Sequence, residues 1–543
     1  MISTKNCRKS EENSEEESFL APLSNNDIAK RNSFTNDNDI DDLTLEQNEG
    51  LDNIISKIGM GRFQRRLLVL CGFGWFSDAL WILCVAVILP RVQVHFQVPN
   101  SIIGLLSSSQ YFGMMFGAVF WGIFSDTYGR KQAFSWTLGV TVFFGFCASL
   151  SQSFGQLCFM FAMLGFGVGG NLPVDGAIFL EFVPKEKQYL LTFSSVFFEI
   201  GAVFASFIGY LILPSNSCLG DEVKIATCDV SKENNGWRYV IVVLGICILV
   251  MFILRILFFR LLESPKFLIS QNRQQEAIHV YKEIARINGN ENELEIQLDD
   301  SLFTNQISLL SSDTKICKSS HMLLHFRQKF VSKFKDIEHL FSKKLLTTTL
   351  IVWSSWGLLS FASLMFILYL PKYLEGLEEN KLGDKGNNDG SEIIRDGLKN
   401  FIIYSAWGIL GAIMSSYLVE TTLGRKGTMI LGAIGTSISI CLFANFQDPT
   451  AIILFSMIIG CLKSINWAVI YCYTPEVFDT KVRGTACGIS SVFARITGMI
   501  SPIVTGNLIS IGVTAPLYVT SFVFGLLAVF IFMLPIETRG RRA

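Results

Sequence analysis

Six ionisable side chains stand inside long apolar stretches of this chain: Asp78, Asp175, Glu199, Arg255, Lys463 and Arg495. At bilayer mid-depth each costs at least about 2.5 to 3.5 kcal/mol, so such a residue reads as functional by default. A carboxylate held away from bulk water can take a proton from one face and give it to the other, which makes Asp78 and Glu199 proton-coupling candidates. Cations at that depth suit an anion, Arg495 through its two-pronged guanidinium and Lys463 as a point charge. Asn466 and Trp467, about one turn beyond Lys463, add a hydrogen bond and a stacking wall. Asp175 and Arg255 join this cavity set, with mutual pairing for packing as the alternative.

A second chemistry lies between apolar stretches, in the spacing Gly122-x-x-x-Asp126-x-x-Gly129-Arg130-Lys131. Gly122 would let helices approach, Gly129 would permit a tight turn, and Asp126 with Arg130 supplies ions to latch a loop. The pattern returns in YLVETTLGRKG, with Glu420, Gly424 and Arg425. EFVPKEK, containing Glu181, is likewise echoed by PEVFDTKVRGT, containing Glu476 and Arg483. Gly129 and Gly424 are 295 residues apart, and so are Glu181 and Glu476. Two motifs in one register mean a duplicated chain, and such halves can rock about a site near the membrane mid-plane.

The elements that must carry these residues follow from composition. Of 543 residues, 50% are hydrophobic and only 17% charged, against about 25% charged in soluble proteins. The net charge of −1 gives no electrostatic case for nucleic acid. Twelve apolar runs are long enough to cross a bilayer as helices, from Leu67–Leu89 to Ala515–Leu534. They are continuous rather than alternating, which favours helices over barrel strands. The expected fold is an all-α polytopic membrane protein of two pseudo-symmetric six-helix bundles, residues 61–262 and 345–536. A tail at 1–60, rich in Asp, Glu, Ser and Asn, has a disordered composition. A loop at 263–344 carries a short amphipathic helix, and 537–543 form a C-terminal tail.

Basic residues concentrate in alternate short loops, at Arg130, Lys131, Lys185, Lys187, Arg425, Lys426, Lys481 and Arg483, while the opposite short loops carry essentially Arg91 alone. The positive-inside rule makes the basic loops cytosolic, with both termini and the central insert. Helix length fits plasma and vacuole-like membranes alike. Cys218 and Cys228 share the loop after the fifth run, where a disulfide would close a short ring. Neither metal-ligand spacing nor a nucleophile–base arrangement is found, so no enzyme, metal or cofactor is expected.

These motifs, with Glu263-Ser264-Pro265-Lys266, Tyr473-x-x-Glu476 through Arg483-Gly484, and Pro535-Ile536-Glu537-Thr538-Arg539-Gly540, resemble the major facilitator superfamily and its sugar-porter-like branch. CGFGWFSDAL, FGVGGNLPVDGAIFLEF and NGWRY leading to LLESPKFL look like fungal relatives of synaptic vesicle protein 2. The resemblance implies the major facilitator fold and alternating access, and points to the first-helix carboxylate in proton coupling. Departures stand at Phe161, where sugar porters place Arg, at Thr421 and Gln188, and in WSSWGLLSF, which lacks the hexose porters' Gln pair. The resemblance therefore does not extend to a hexose-binding set. The reading is a monomeric secondary active transporter of a small polar solute, proton-coupled and directed at an organic anion. A transporter-like receptor, sensor or partner-binding protein, or a facilitative uniporter, is the alternative.

Overall fold

The structure is a computed structural model that describes residues 54–184, 187, 190–219, 228–257, 262–271, 273–289, 340–342, 345–383, 390–446, 448–478 and 480–538. The acidic tail before 54, the bulk of the central insert, Lys185, Gln188 and the last five residues lie outside the described residues. The first six long helices are α1 (Arg62–Phe96), α2 (Leu105–Tyr128), α3 (Arg130–Ser149), α4 (Phe154–Phe182), α5 (Ser195–Ile212) and α6 (Gly236–Leu257). The second six are α7 (Leu346–Gly383), α8 (Gly390–Leu418), α9 (Gly424–Asn445), α10 (Pro449–Val477), α11 (Thr480–Ile511) and α12 (Ala515–Phe532).

Among the described residues, eleven helices are long and apolar enough to cross a membrane. The twelfth in this order, α3, opens on Arg130, Lys131 and Gln132, which dilute its hydropathy. Its 20 residues still reach about 30 Å at 1.5 Å per residue. Several helices overrun their apolar runs, most of all α7, which continues past Pro371 to Gly383. Prolines stand inside α1, α4, α7, α10 and α11, as neighbouring helices in a bundle allow.

In lipid no hydrophobic force presses apolar helices together, so small residues that admit backbones set the packing. A methyl at Gly165 or Gly169 of α4 would come within 2.2 Å of the Gln110 or Met114 carbonyl oxygen of α2. The second half repeats the device between α8 and α10. There a Cβ at Gly411 would meet the Cys461 oxygen at 2.2 Å, and one at Gly460 the Tyr404 oxygen at 2.2 Å. Gly122, expected to let helices approach, has nothing within 4 Å of an added Cβ, because it faces away from the neighbouring helices.

The amphipathic helix of the insert spans Gln274–Asn288 and buries Ala277, Val280, Tyr281, Ile284 and Ala285. It ends against the start of α1. Asn288 Oδ1 accepts from the Phe63 main-chain N–H at 3.0 Å, and Asn288 Nδ2 donates to Gln64 Oε1 at 3.0 Å.

Candidate functional site

A cavity opens between the two halves, lined by α1, α2, α4 and α5 on one side and α7, α8, α10 and α11 on the other. On α10, Lys463, Trp467 and Tyr471 follow one another at helical i, i+4, i+8 spacing. Trp75 of α1 and Trp356 of α7 meet the Tyr471 ring at 5.6 and 4.7 Å between centroids, forming an aromatic wall with Trp467. Trp467 Nε1 donates to Ser363 Oγ at 3.1 Å and Trp356 Nε1 to Thr474 Oγ1 at 2.9 Å, which fixes both rings.

Four charged side chains line this space, Asp78 and Glu199 from the first half and Lys463 and Arg495 from the second. Asp78 Oδ1 accepts from Asn171 Nδ2 at 2.8 Å, while its Oδ2 is buried without a hydrogen-bond partner. Glu199 of α5 reaches across to α8, where a Cβ at Gly408 would come within 2.4 Å of its Oε2. Lys463 lies within electrostatic reach of Glu199, with its Nζ 5.2 Å from the Tyr404 ring centroid. Arg495 donates to the Met114 and Gly169 carbonyl oxygens, at 2.9 and 3.3 Å.

Three expected cavity residues lie elsewhere. Asp175 and Arg255 form an ion pair at 2.8 Å with both side chains sealed from solvent, so the packing alternative describes them. Arg255 also donates to Leu70 O at 3.2 Å and lies over the Phe134 ring. Gly74 of α1 makes room for the pair, since a Cβ there would fall 1.7 Å from Asp175 Oδ2. Asn466 turns away from the cavity to α9, where its amide fills the space above Gly432. Lys463 and Trp467 occupy the cavity stripe of α10, and Asn466 falls off its edge.

At the end bearing the basic loops, the two repeats build matching ion clusters. Arg130 binds Asp126 at 2.6 Å and Glu181 at 3.2 Å, next to the left-handed turn at Gly129, φ +112°. Arg425 binds Glu420 at 3.1 Å and Glu476 at 3.1 Å, next to Gly424, φ +64°. Each cluster closes within its own half. Lys131 contributes its main-chain N–H, and Arg483 departs from the expected latch, its Nε being buried without a hydrogen-bond partner.

The sequence model of the Major Facilitator Superfamily matches residues 67–419 and 396–543. The chain belongs to that superfamily. An uncharacterised transporter of this type from Schizosaccharomyces pombe is 33% identical over 522 residues, 93% of this chain and 90% of the relative. The MFS siderochrome iron transporter 1 of Ceriporiopsis subvermispora is 32% identical, over 90% of each chain. The synaptic vesicle 2-related protein of Rattus norvegicus is 24% identical over 90% of this chain and 81% of that one. Among solved structures, the inward-open xylose transporter of E. coli superposes with a TM-score of 0.64 at 16% identity, covering 88% of this chain and 98% of that one. This facilitator is thus an integral multi-pass membrane protein and a secondary transporter, not an enzyme.

Glu263 and Glu537, quoted above only as family signatures, complete the facilitator's two clusters. Glu263 accepts from the Arg130 and Lys131 main-chain N–H groups at 2.8 and 3.3 Å, and Glu537 from those of Arg425 and Lys426 at 3.0 Å each. A carboxylate there complements the partial positive charge of a helix N-terminus. Their common signal was position, since each follows the last helix of its half. At the opposite end the halves are joined directly. Arg91 of α1 pairs with Glu375 of α7, and Lys372 of α7 donates to Gln93 and Asn100 at 2.9 and 2.7 Å. Arg91 also donates to Cys218 O at 2.6 Å, and Cys218 is bridged to Cys228. Asn234 tightens this corner, donating to Arg91 O at 2.9 Å and accepting from the Cys218 N–H at 3.3 Å. Sequence reasoning gave Arg91 no role; its signal was isolation as a basic residue among the short loops on that side.

Proposed function

We propose that this facilitator moves a small organic anion together with protons by alternating access, with Asp78 as the proton carrier. The observation that carries this is the carboxylate at the centre of the molecule. Asp78 borders the inter-half cavity with one oxygen unpartnered, and two cations stand on the facing half. A buried acceptor without a partner is costly unless something visits it, and a proton is the smallest visitor. The relatives' printed names diverge, from siderochrome iron to organic cation and carnitine, so the solute class here rests on the cavity's own charges. The basic loops are assigned to the cytosol by the positive-inside rule, with both termini. The Arg91–Glu375 and Lys372 contacts then close the outer end, which supports an inward-facing state. Uptake into sealed vesicles with and without an imposed pH gradient tests the reading. Asp78→Asn is expected to abolish gradient-driven uptake and retain solute exchange, and pH-driven flux unchanged in that variant would overturn the assignment.

A further inference from the structure

We propose that the solute is a monoanion carried with one proton, so that the cavity is electrically neutral both empty and loaded. This rests on the proton-coupled reading above and adds to it the charge of the solute and the stoichiometry.

The groups facing Asp78 come from every surrounding element. Asn171 of α4 donates to it, and Tyr111 of α2, Tyr471 of α10 and Arg495 of α11 share its electrostatic surroundings. Behind it lies the Asp175–Arg255 pair of α4 and α6, whose charges cancel. Glu199 of α5 faces Lys463 of α10, with Tyr404 and Gly408 of α8 beside it. The cavity wall therefore holds two acids from one half and two bases from the other. Each acid has one base of the facing half within electrostatic reach, Arg495 for Asp78 and Lys463 for Glu199, and among the described residues neither couple closes to a direct ion pair. The spacing leaves room for a group between the halves.

Occluding the cavity removes water, and a charge shut in without a counter-charge is expensive. With both acids ionised the four charges sum to zero, and the empty carrier can reorient. A proton on Asp78 Oδ2 leaves Arg495 uncompensated and the cavity at +1. A monoanion beside Arg495 returns it to zero, whereas the monoanion without the proton would leave −1. A neutral solute with one proton stays at +1, and a dianion with one proton falls to −1. One proton with one monoanion is the loaded state that matches the empty one. No bond of the solute changes: an O–H bond forms on Asp78 at loading and breaks at release.

The test begins without any solute, on the full-length protein in detergent. Asp78→Asn should lower the melting temperature, and Arg495→Gln added to it should recover at least half of the loss. Should that pair fail to fold, Glu199→Gln with and without Lys463→Gln supplies the same cycle on the second couple. Acetate should stabilise Asp78→Asn more than the parent, and acetamide, its neutral counterpart, should not. Equal melting of single and double variants, or equal effects of acetate and acetamide, would overturn the charge count. In vesicles, pH-driven uptake should keep its initial rate, within twofold, when valinomycin and potassium impose an inside-negative potential. A several-fold rise would show net positive charge moving, which defeats the monoanion while leaving proton coupling intact. Absence of any pH-driven uptake would instead defeat the proton-coupled reading, and the melting cycle would still judge the charge balance.

Discussion

Two kinds of buried charge stand in the membrane-spanning helices, a pair closed on itself and four side chains open on the cavity wall. Asp175 and Arg255 satisfy each other away from the cavity. Arg255→Met alone should destabilise by about 3–5 kcal/mol, because it strands a buried carboxylate, and adding Asp175→Leu should restore most of the loss. Reversible denaturation in mild detergent reads both. Asp78 was legible in the sequence because a carboxylate within an apolar run has no bland explanation as strong as its cost. Which way each charge points was not. A helix in water reveals its buried face by the polarity of the other one, but a helix among helices in lipid is apolar all round. Sequence order therefore could not separate Asp175, facing α6, from Asp78, facing the cavity, or Asn466 from its neighbour Trp467.

At the scale of elements, glycine positions decide which helices can touch. Gly169→Ala would drive its methyl against the Met114 carbonyl at 2.2 Å, and Gly411→Ala against the Cys461 carbonyl at 2.2 Å. Both obstacles are backbone and cannot rotate aside, so each variant should lose about 1–3 kcal/mol, seen as a lower melting temperature. Gly122→Ala has open space around its Cβ and should melt at or slightly above the parent. The contrast separates packing glycines from one that merely belongs to a motif. Helix number and order were readable from apolar run length. Helix ends were not, because α7 and α8 extend beyond their apolar runs into polar sequence that hydropathy cannot assign.

For the molecule as a whole, the duplication was written in the 295-residue register, and it places Arg130 with Glu181 and Arg425 with Glu476 in equivalent clusters. The conformational state was not written there, because a repeat is symmetric and a state is the breaking of that symmetry. Here the break is the Arg91–Glu375 and Lys372 junction, which ties the halves together at the end away from the basic loops. Contacts present in only one of two states bias the equilibrium between them. Glu375→Gln should accordingly raise hydrogen exchange over residues 88–96 at the end of α1, while exchange around Arg130 stays at parental levels. The same junction hangs on the carbonyl of Cys218, which the bridge to Cys228 and the side chain of Asn234 hold against Arg91. The gate thereby inherits the thiol chemistry of whichever compartment it faces. A membrane-impermeant reductant applied from that side should loosen it as Glu375→Gln does, read as the same rise in hydrogen exchange over residues 88–96.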